Sequence, residues 1–274
     1  MRGGKPAGER LKTARKRSAS SARWLSRQLA DPYVKQAKAA GWRSRAAFKL
    51  IELDEKFGLI KGARRVVDLG IAPGGWSQVI RKQNPKAAVV GIDLLPTDPI
   101  EGVTIFQMDF MADEAPAALT EALDGPPDLV ISDMAANTVG HKQTDHLRTM
   151  GLVETAAHFA IQNLAPGGAF VAKVLAGGTD TDLLALLKQH FASVKHAKPP
   201  ASRKDSSEWY VIAQGFKGEG GKVARTPLGL PRRPGLDPEL GFCWRGCGPT
   251  KRCQRQPSPG SSPGRRRVRG RDCG

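Results

Sequence analysis

A lysine in the middle of an apolar run is the residue of this chain most in need of a chemical reason. Lys173 stands inside AFVAKV (169–174), where its neighbours read as a buried strand. Burying an ammonium is costly unless a partner offsets its lost hydration, so a carboxylate neighbour is expected. The alternative is a side chain that lays its stem along the core and reaches water at the strand end. Asp133 closes a second apolar run, LVISD (129–133). A Lys beside an Asp can orient a hydroxyl, take its proton, or stabilise negative charge developing on its oxygen.

A ligand site is indicated by VVDLGIAPGGWS (66–77), an apolar run that enters a Gly-rich turn and then a helical pattern. Gly70, Gly74 and Gly75 let the backbone approach a ligand closely. Asp93, in GIDLLP, lies 23 positions after Gly70. At that offset an acid can accept hydrogen bonds from both hydroxyls of an adenosine ribose, in a nicotinamide or another nucleoside cofactor alike. Ala72 and Pro73 occupy the middle of the turn, which therefore does not read G-x-G-x-x-G, and this weighs against a dinucleotide. Asp109, in QMDF, is placed to meet an adenine amino group. Trp76 packs either against the cofactor or in the core.

These residues need elements to hold them. Apolar runs at 66–69, 87–92, 103–107, 129–132, 169–174 and 209–213 alternate with helical patterns near 75–83, 145–164 and 179–191. Strands alternating with helices predict a mostly parallel sheet covered on both faces, an α/β fold. Ligands of such sheets bind beyond the carboxyl ends of the strands, where the strand order reverses. A further helix is predicted over 44–57, with Ser44 as its N-cap, Ala47, Leu50, Ile51, Asp54 and Phe57 at helical spacing, and Gly58 ending it.

Charge is concentrated at the two ends of the chain. Residues 1–50 carry 14 Lys and Arg against two acids, and residues 217–274 carry 14 against four, while the segment between them is net acidic. The total of +17 points to a polyanionic partner. We read residues 1–20 as a disordered basic arm, 21–217 as the folded domain and 218–274 as a disordered Gly/Pro/Arg-rich tail. The tail's composition fits an RNA-binding segment and out-of-frame translation of a GC-rich gene equally. Cys243, Cys247, Cys253 and Cys273 all fall in that tail, which excludes a disulfide framework for the domain, and their spacing matches no zinc pattern, so no metal is expected. With no long apolar segment and no signal-like N-terminus, the chain reads as cytoplasmic, with no membrane partner.

The ordered motifs SRAAFKL (44–50), DLGIAPGGWSQ (68–78), DLLP (93–96), SDMA (132–135), LAPGG (164–168) and SEWY (207–210) resemble the FtsJ/RlmE family of ribosomal RNA 2′-O-methyltransferases, over about residues 20–216. The resemblance implies a Rossmann-like S-adenosylmethionine-dependent methyltransferase fold, a single seven-stranded sheet with its last strand antiparallel. It assigns Lys49, Asp133, Lys173 and Glu208 to a catalytic tetrad, and Gly74, Trp76, Asp93, Asp109 and Asp133 to the cofactor site. It implies S-adenosyl-L-methionine as cofactor, a uridine in the A-loop of 23S rRNA within the large ribosomal subunit as substrate, and a monomer. Ala136 departs from the Pro common in relatives. Another RNA such as tRNA, or a non-catalytic role in ribosome assembly, are the alternatives.

On that reading Lys173 either removes the 2′-hydroxyl proton or stabilises the alkoxide, with Asp133 positioning it and Lys49 and Glu208 fixing the substrate ribose and the ends of the network. Lys35, Lys38, Arg43 and Arg45, with Trp42 among them, are expected to form a basic platform for flanking phosphates.

Overall fold

A computed structural model of the chain describes residues 31–136, 140–175 and 181–218. The four cysteines, the predicted basic arm and all but the first residue of the predicted tail lie outside the described residues.

Seven strands form one sheet in the order β3-β2-β1-β4-β5-β7-β6. β1 (Arg65–Leu69), β2 (Ala88–Asp93), β3 (Val103–Gln107), β4 (Leu129–Ser132) and β5 (Ala169–Leu175) run parallel to their neighbours. β7 (Glu208–Phe216) inserts antiparallel between β5 and β6 (Phe191–Ala197). The central strands are buried on both faces, as a parallel sheet covered by helices requires: every residue of β4 is buried.

Two helical layers provide that cover. On one face α2 (Ala46–Phe57) and α3 (Gly75–Gln83) bring Leu50, Leu53, Val79 and Ile80 against Val66, Val89, Ile131, Val171 and Ile212. On the other, α4 (Ala115–Ala122), α5 (Lys142–Asn163) and α6 (Thr181–His190) pack Leu119, Val153, Ala157 and Leu187 against Val67, Ile92, Val130, Phe170 and Val211. α1 (Pro32–Ala39) lies outside α2, its N-terminus capped where Asp31 accepts from the Tyr33 amide at 3.0 Å.

The structure corrects three expectations. β6 does not read as an apolar run, because this edge strand buries only its two end residues, Phe191 and Ala197, and exposes Ala192, Lys195 and His196 between them. α1 falls in a basic stretch to which the sequence assigns no element. Ser44 does not cap α2: Arg45 takes the N-cap position with helical dihedrals and no side-chain capping bond. The Ser44 hydroxyl is instead buried without a hydrogen-bond partner, in the space where a side chain at Gly75 would sit. Gly58 ends the helix as predicted, in the left-handed conformation (φ 64°), its amide bonded to the carbonyl of Asp54 at 2.7 Å.

Candidate active site

The strand order reverses between β1 and β4, and the turn that follows β1 forms the floor beyond their carboxyl ends. Gly70, with φ 83°, packs so closely on the next loop that a Cβ there would fall 2.7 Å from Cγ of Met134. The amides of Gly70 and Ile71 both donate to the carbonyl of Ile92, at 2.9 and 3.2 Å. Asp93, at the end of β2, braces the turn: one carboxylate oxygen accepts from the Ala72 amide and the other from the Leu95 amide, each at 2.9 Å. A carboxylate has about four lone-pair positions, so Asp93 keeps acceptor capacity for a ligand. Asp109, exposed beyond β3, accepts from the Met111 amide at 2.9 Å.

Gly74 supplies the left-handed residue (φ 100°) from which α3 starts, and the first amides of α3 face the end of the turn. Trp76 sits in the first turn of α3, but its indole takes the core-packing alternative. It is 3% exposed, donates to the carbonyl of Ala46 at 2.8 Å and packs on the ring of Tyr210. Any contact of this residue with a cofactor therefore falls to its backbone.

Lys49, Asp133, Lys173 and Glu208, separated by up to 159 residues, meet above β4, β5 and β7. One Asp133 carboxylate oxygen is the hub. Lys173 Nζ lies 3.2 Å from it and Lys49 Nζ 3.9 Å. Lys173 Nζ also donates to the backbone carbonyl of Asp133 at 2.6 Å. Lys49 Nζ donates to Glu208 at 3.2 Å. The β5–β7 register sets two of these positions, pairing Lys173 with Tyr210 and Leu175 with Glu208. The lysine side chains are under a tenth exposed, Asp133 a fifth and Glu208 a third, so the group is anchored in the core and opens to solvent on its acidic side.

Tyr210 is a site residue that the sequence reading missed. Its hydroxyl donates to the hub oxygen of Asp133 at 2.7 Å and accepts from Lys49 at 3.1 Å. Burial raises its phenol well above the ordinary value, and the charge of Asp133 adds to the effect, which keeps the hydroxyl a donor. Burial works against ionised Asp133 as well, but Lys173, Lys49 and the Tyr210 hydroxyl outweigh it and hold that carboxyl below the ordinary range.

The expected basic platform is corrected in part. Lys35 and Lys38 belong to the outer helix α1, and both are exposed. Arg43 instead staples the Gly-rich turn to the loop after β2, donating to Pro73 at 3.3 Å, Asp98 at 2.6 Å and Pro99 at 2.7 Å, all through carbonyls. Arg45 is committed to the Asp31 carboxylate and the carbonyl of Ala201, and Trp42 lies under the Lys82 ammonium.

A mostly parallel seven-stranded sheet, with an antiparallel strand inserted before its last edge and acids at the ends of β2 and β4, defines the chain as a protein of the Rossmann-like methyltransferase class. Residues 42–216 match the FtsJ-like methyltransferase family, and the chain belongs to it. Among its relatives, the Ribosomal RNA large subunit methyltransferase E of Novosphingobium aromaticivorans is 86% identical over 77% of this chain and 95% of its own. The protein of the same name from Erythrobacter litoralis is 80% identical over 79% of this chain and 99% of its own. A crystal structure of a ribosomal RNA methyltransferase from Plasmodium falciparum superimposes with a TM-score of 0.58 at 33% identity, covering 65% of this chain and all of that one.

Proposed function

We propose that the protein transfers the methyl group of S-adenosyl-L-methionine to a ribose 2′-hydroxyl of large-subunit ribosomal RNA, at a uridine in the A-loop of 23S rRNA. The observation that carries this reading is the buried Lys173 Nζ, fixed between the carboxylate and the carbonyl of Asp133 at 3.2 and 2.6 Å. The names borne by close relatives support the choice of RNA.

The residues at the strand ends suit this cofactor. The turn at Gly70 and Gly74 leaves backbone where side chains would obstruct, Asp93 retains lone pairs for two ribose hydroxyls, and exposed Asp109 can accept from an adenine amino group. The Gly74 amide already donates to the carbonyl of Ile71, so the first amides of α3, that of Trp76 among them, are the candidates to hold the amino-acid end, and Asp133 closes the site towards the substrate. Bound there, the cofactor supplies an electrophilic sulfonium methyl group.

The protein's own residues then have two tasks. They hold the ribose oxygen in line with the methyl carbon, which removes much of the entropic cost of the encounter. They also handle the hydroxyl proton and the charge that develops on oxygen. As an amine, Lys173 accepts that proton. As an ammonium already engaged by two acceptors, it keeps its third N–H for the alkoxide. In either form Asp133, ionised at neutral pH, fixes Nζ. Lys49, held by Tyr210 and Glu208, presents a second cation to the ribose.

The deciding experiment is transfer of labelled methyl groups to undermethylated large ribosomal subunits and, separately, to tRNA, with Lys173→Ala beside the wild type. Label at one 2′-hydroxyl of subunit RNA that disappears in the variant is the expected result. Label on tRNA alone would move the substrate, and intact turnover by the variant would remove Lys173 from its role.

A further inference from the structure

The methyl transfer makes no use of one carboxyl beneath the Gly-rich turn. Asp68 in β1 has no solvent exposure. Its Oδ2 accepts from the Ser77 hydroxyl at 2.7 Å, while its Oδ1, equally shielded from solvent, receives no hydrogen bond. An ionised carboxylate with half of its acceptor capacity idle is costly to bury.

The sheet register adds to this cost. Asp68 stands opposite Gly91 on β2 and Ile131 on β4, so Asp93 and Asp133 project from the neighbouring strands two residues further along, on the same face. The charged groups that face Asp68 from the flanking strands are thus both carboxylates, and from α3 the facing group is the neutral hydroxyl of Ser77. The cations of this face, Lys49 and Lys173, are engaged by Asp133 and Glu208. Burial pushes the Asp68 carboxyl up to about 7; the Ser77 hydrogen bond opposes the shift, and the charges of Asp133 and Asp93 add to it.

We propose that Asp68 couples methyl-donor binding to proton release: it is protonated in the empty site, ionises when a cationic ligand settles over the turn, and thereby favours the donor over its product. The inference rests on the cofactor reading above. S-adenosylmethionine carries a sulfonium and an ammonium against one carboxylate, whereas S-adenosylhomocysteine, with a neutral sulfur, has no net charge. A positive charge entering a poorly screened site over three aspartates stabilises the ionised form of Asp68, whose proton leaves to solvent. After transfer the positive charge is gone, Asp68 recovers a proton from solvent, and the hold on the product weakens. Donor affinity then rises with pH up to the empty-site midpoint of about 7 and levels off above it, by about tenfold in all for each unit by which the donor lowers that midpoint.

Calorimetric titration of the full chain at neutral pH, in buffers of different ionisation enthalpy, counts the protons exchanged with each ligand. The expected result is a fractional proton released with S-adenosylmethionine and less with S-adenosylhomocysteine. Asp68→Asn, which keeps the acceptor for Ser77, is expected to bind both, to lose that release and to lose the pH dependence of the donor-to-product affinity ratio. Equal release by wild type and variant, or by donor and product, overturns the proposal. Carbon NMR titration of the Asp68 carboxyl in the empty wild-type protein tests it without the variant: a midpoint near neutrality is expected, and one near the ordinary value of about 4 overturns it. A wild type that binds neither ligand defeats the cofactor reading and the linkage together, while binding without an Asp68-dependent proton defeats the linkage alone.

Discussion

The Tyr210 hydroxyl and Lys173 Nζ converge on the same carboxylate oxygen of Asp133, at 2.7 and 3.2 Å. One oxygen thus orders two strands and, through Lys49, a helix. The two donors arrive from facing positions of β5 and β7, so the antiparallel insertion of β7 builds the site as well as the sheet edge.

Replacing Lys173 with alanine is expected to lower methyl transfer by at least about a hundredfold, the range of a lost proton-handling group. Donor affinity should stay within a few-fold, because Lys173 is bonded to Asp133 and not to the Gly-rich turn. Single-turnover rates and donor dissociation constants measured side by side check both parts.

Tyr210→Phe isolates the hydroxyl. The ring keeps its packing on Trp76, but Asp133 loses its phenolic donor and Lys49 an acceptor. The expected stability loss is about 1–2 kcal/mol, typical of hydrogen bonds that involve charged groups. Turnover should fall about tenfold with little change in the donor KM, since the defect loosens Asp133 and Lys49. Unchanged turnover would show that Lys173 alone orders Asp133.

Which residues are legible in the sequence follows from how far their partners lie along the chain. Lys173 and Asp133 stand out because a charged residue inside or at the end of an apolar strand conflicts with its surroundings, and local sequence displays that conflict. Lys49 and Glu208 come only from resemblance, because a Lys in an amphipathic helix and a Glu before a strand look ordinary until a contact 159 residues away joins them. Tyr210 escapes notice because a buried Tyr on a strand reads as core; its position two residues after Glu208, on the same face of β7, is the available signal. Arg43 and Arg45 pass for phosphate-binding residues because carbonyl acceptors 30 to 156 residues distant leave no local trace.

The two buried aspartates should act on stability with opposite signs. Asp133 has a lowered folded-state value, so its ionised form stabilises the fold above about pH 4, and that contribution is lost as the pH falls further. Asp68 has a raised value. The folded state holds its proton more tightly than the unfolded chain, so stability declines as pH rises from about 4 to about 7, and the penalty is complete above that. Asp68→Asn should therefore gain in melting temperature relative to wild type as pH rises from about 4 to about 7, by the equivalent of a few kcal/mol at most at about 1.4 kcal/mol per unit, and hold that gain above about pH 7. A difference independent of pH would mean that Asp68 is ionised in the folded protein throughout that range.

Asp31 ties the loop before β7 to the N-terminal helices. It pairs with Arg45 at the start of α2 and with Arg203 in the loop, while Glu52 of α2 accepts from the Ala201 amide at 2.7 Å and from the Tyr33 hydroxyl at 3.2 Å. Asp31→Ala leaves the guanidinium of Arg45 largely buried without its carboxylate, a loss of about 3 kcal/mol for a pair of this kind. The loop leads into Glu208, so turnover should fall too, though less than in Lys173→Ala. Thermal melting, with limited proteolysis between residues 198 and 207, reads the two effects.

Three cations of the expected phosphate platform, Lys35, Lys38 and Arg43, should separate by experiment. Lys35 and Lys38 project from the outer helix α1, so replacing both with alanine should weaken binding to ribosomal subunits and reduce the dependence of that binding on salt, by about one unit of slope for each phosphate no longer neutralised. Donor binding should be untouched. Arg43→Ala should do the reverse, because its guanidinium joins the carbonyl of Pro73 in the cofactor turn to the carbonyls of Asp98 and Pro99 in the loop after Asp93. Without that staple the turn and the Asp93 loop are free to separate, so donor affinity should drop about tenfold, the effect of about 1.4 kcal/mol, while the salt slope for subunit binding stays as in the wild type. A reduced salt slope in Arg43→Ala with donor affinity intact would return Arg43 to the RNA-binding surface.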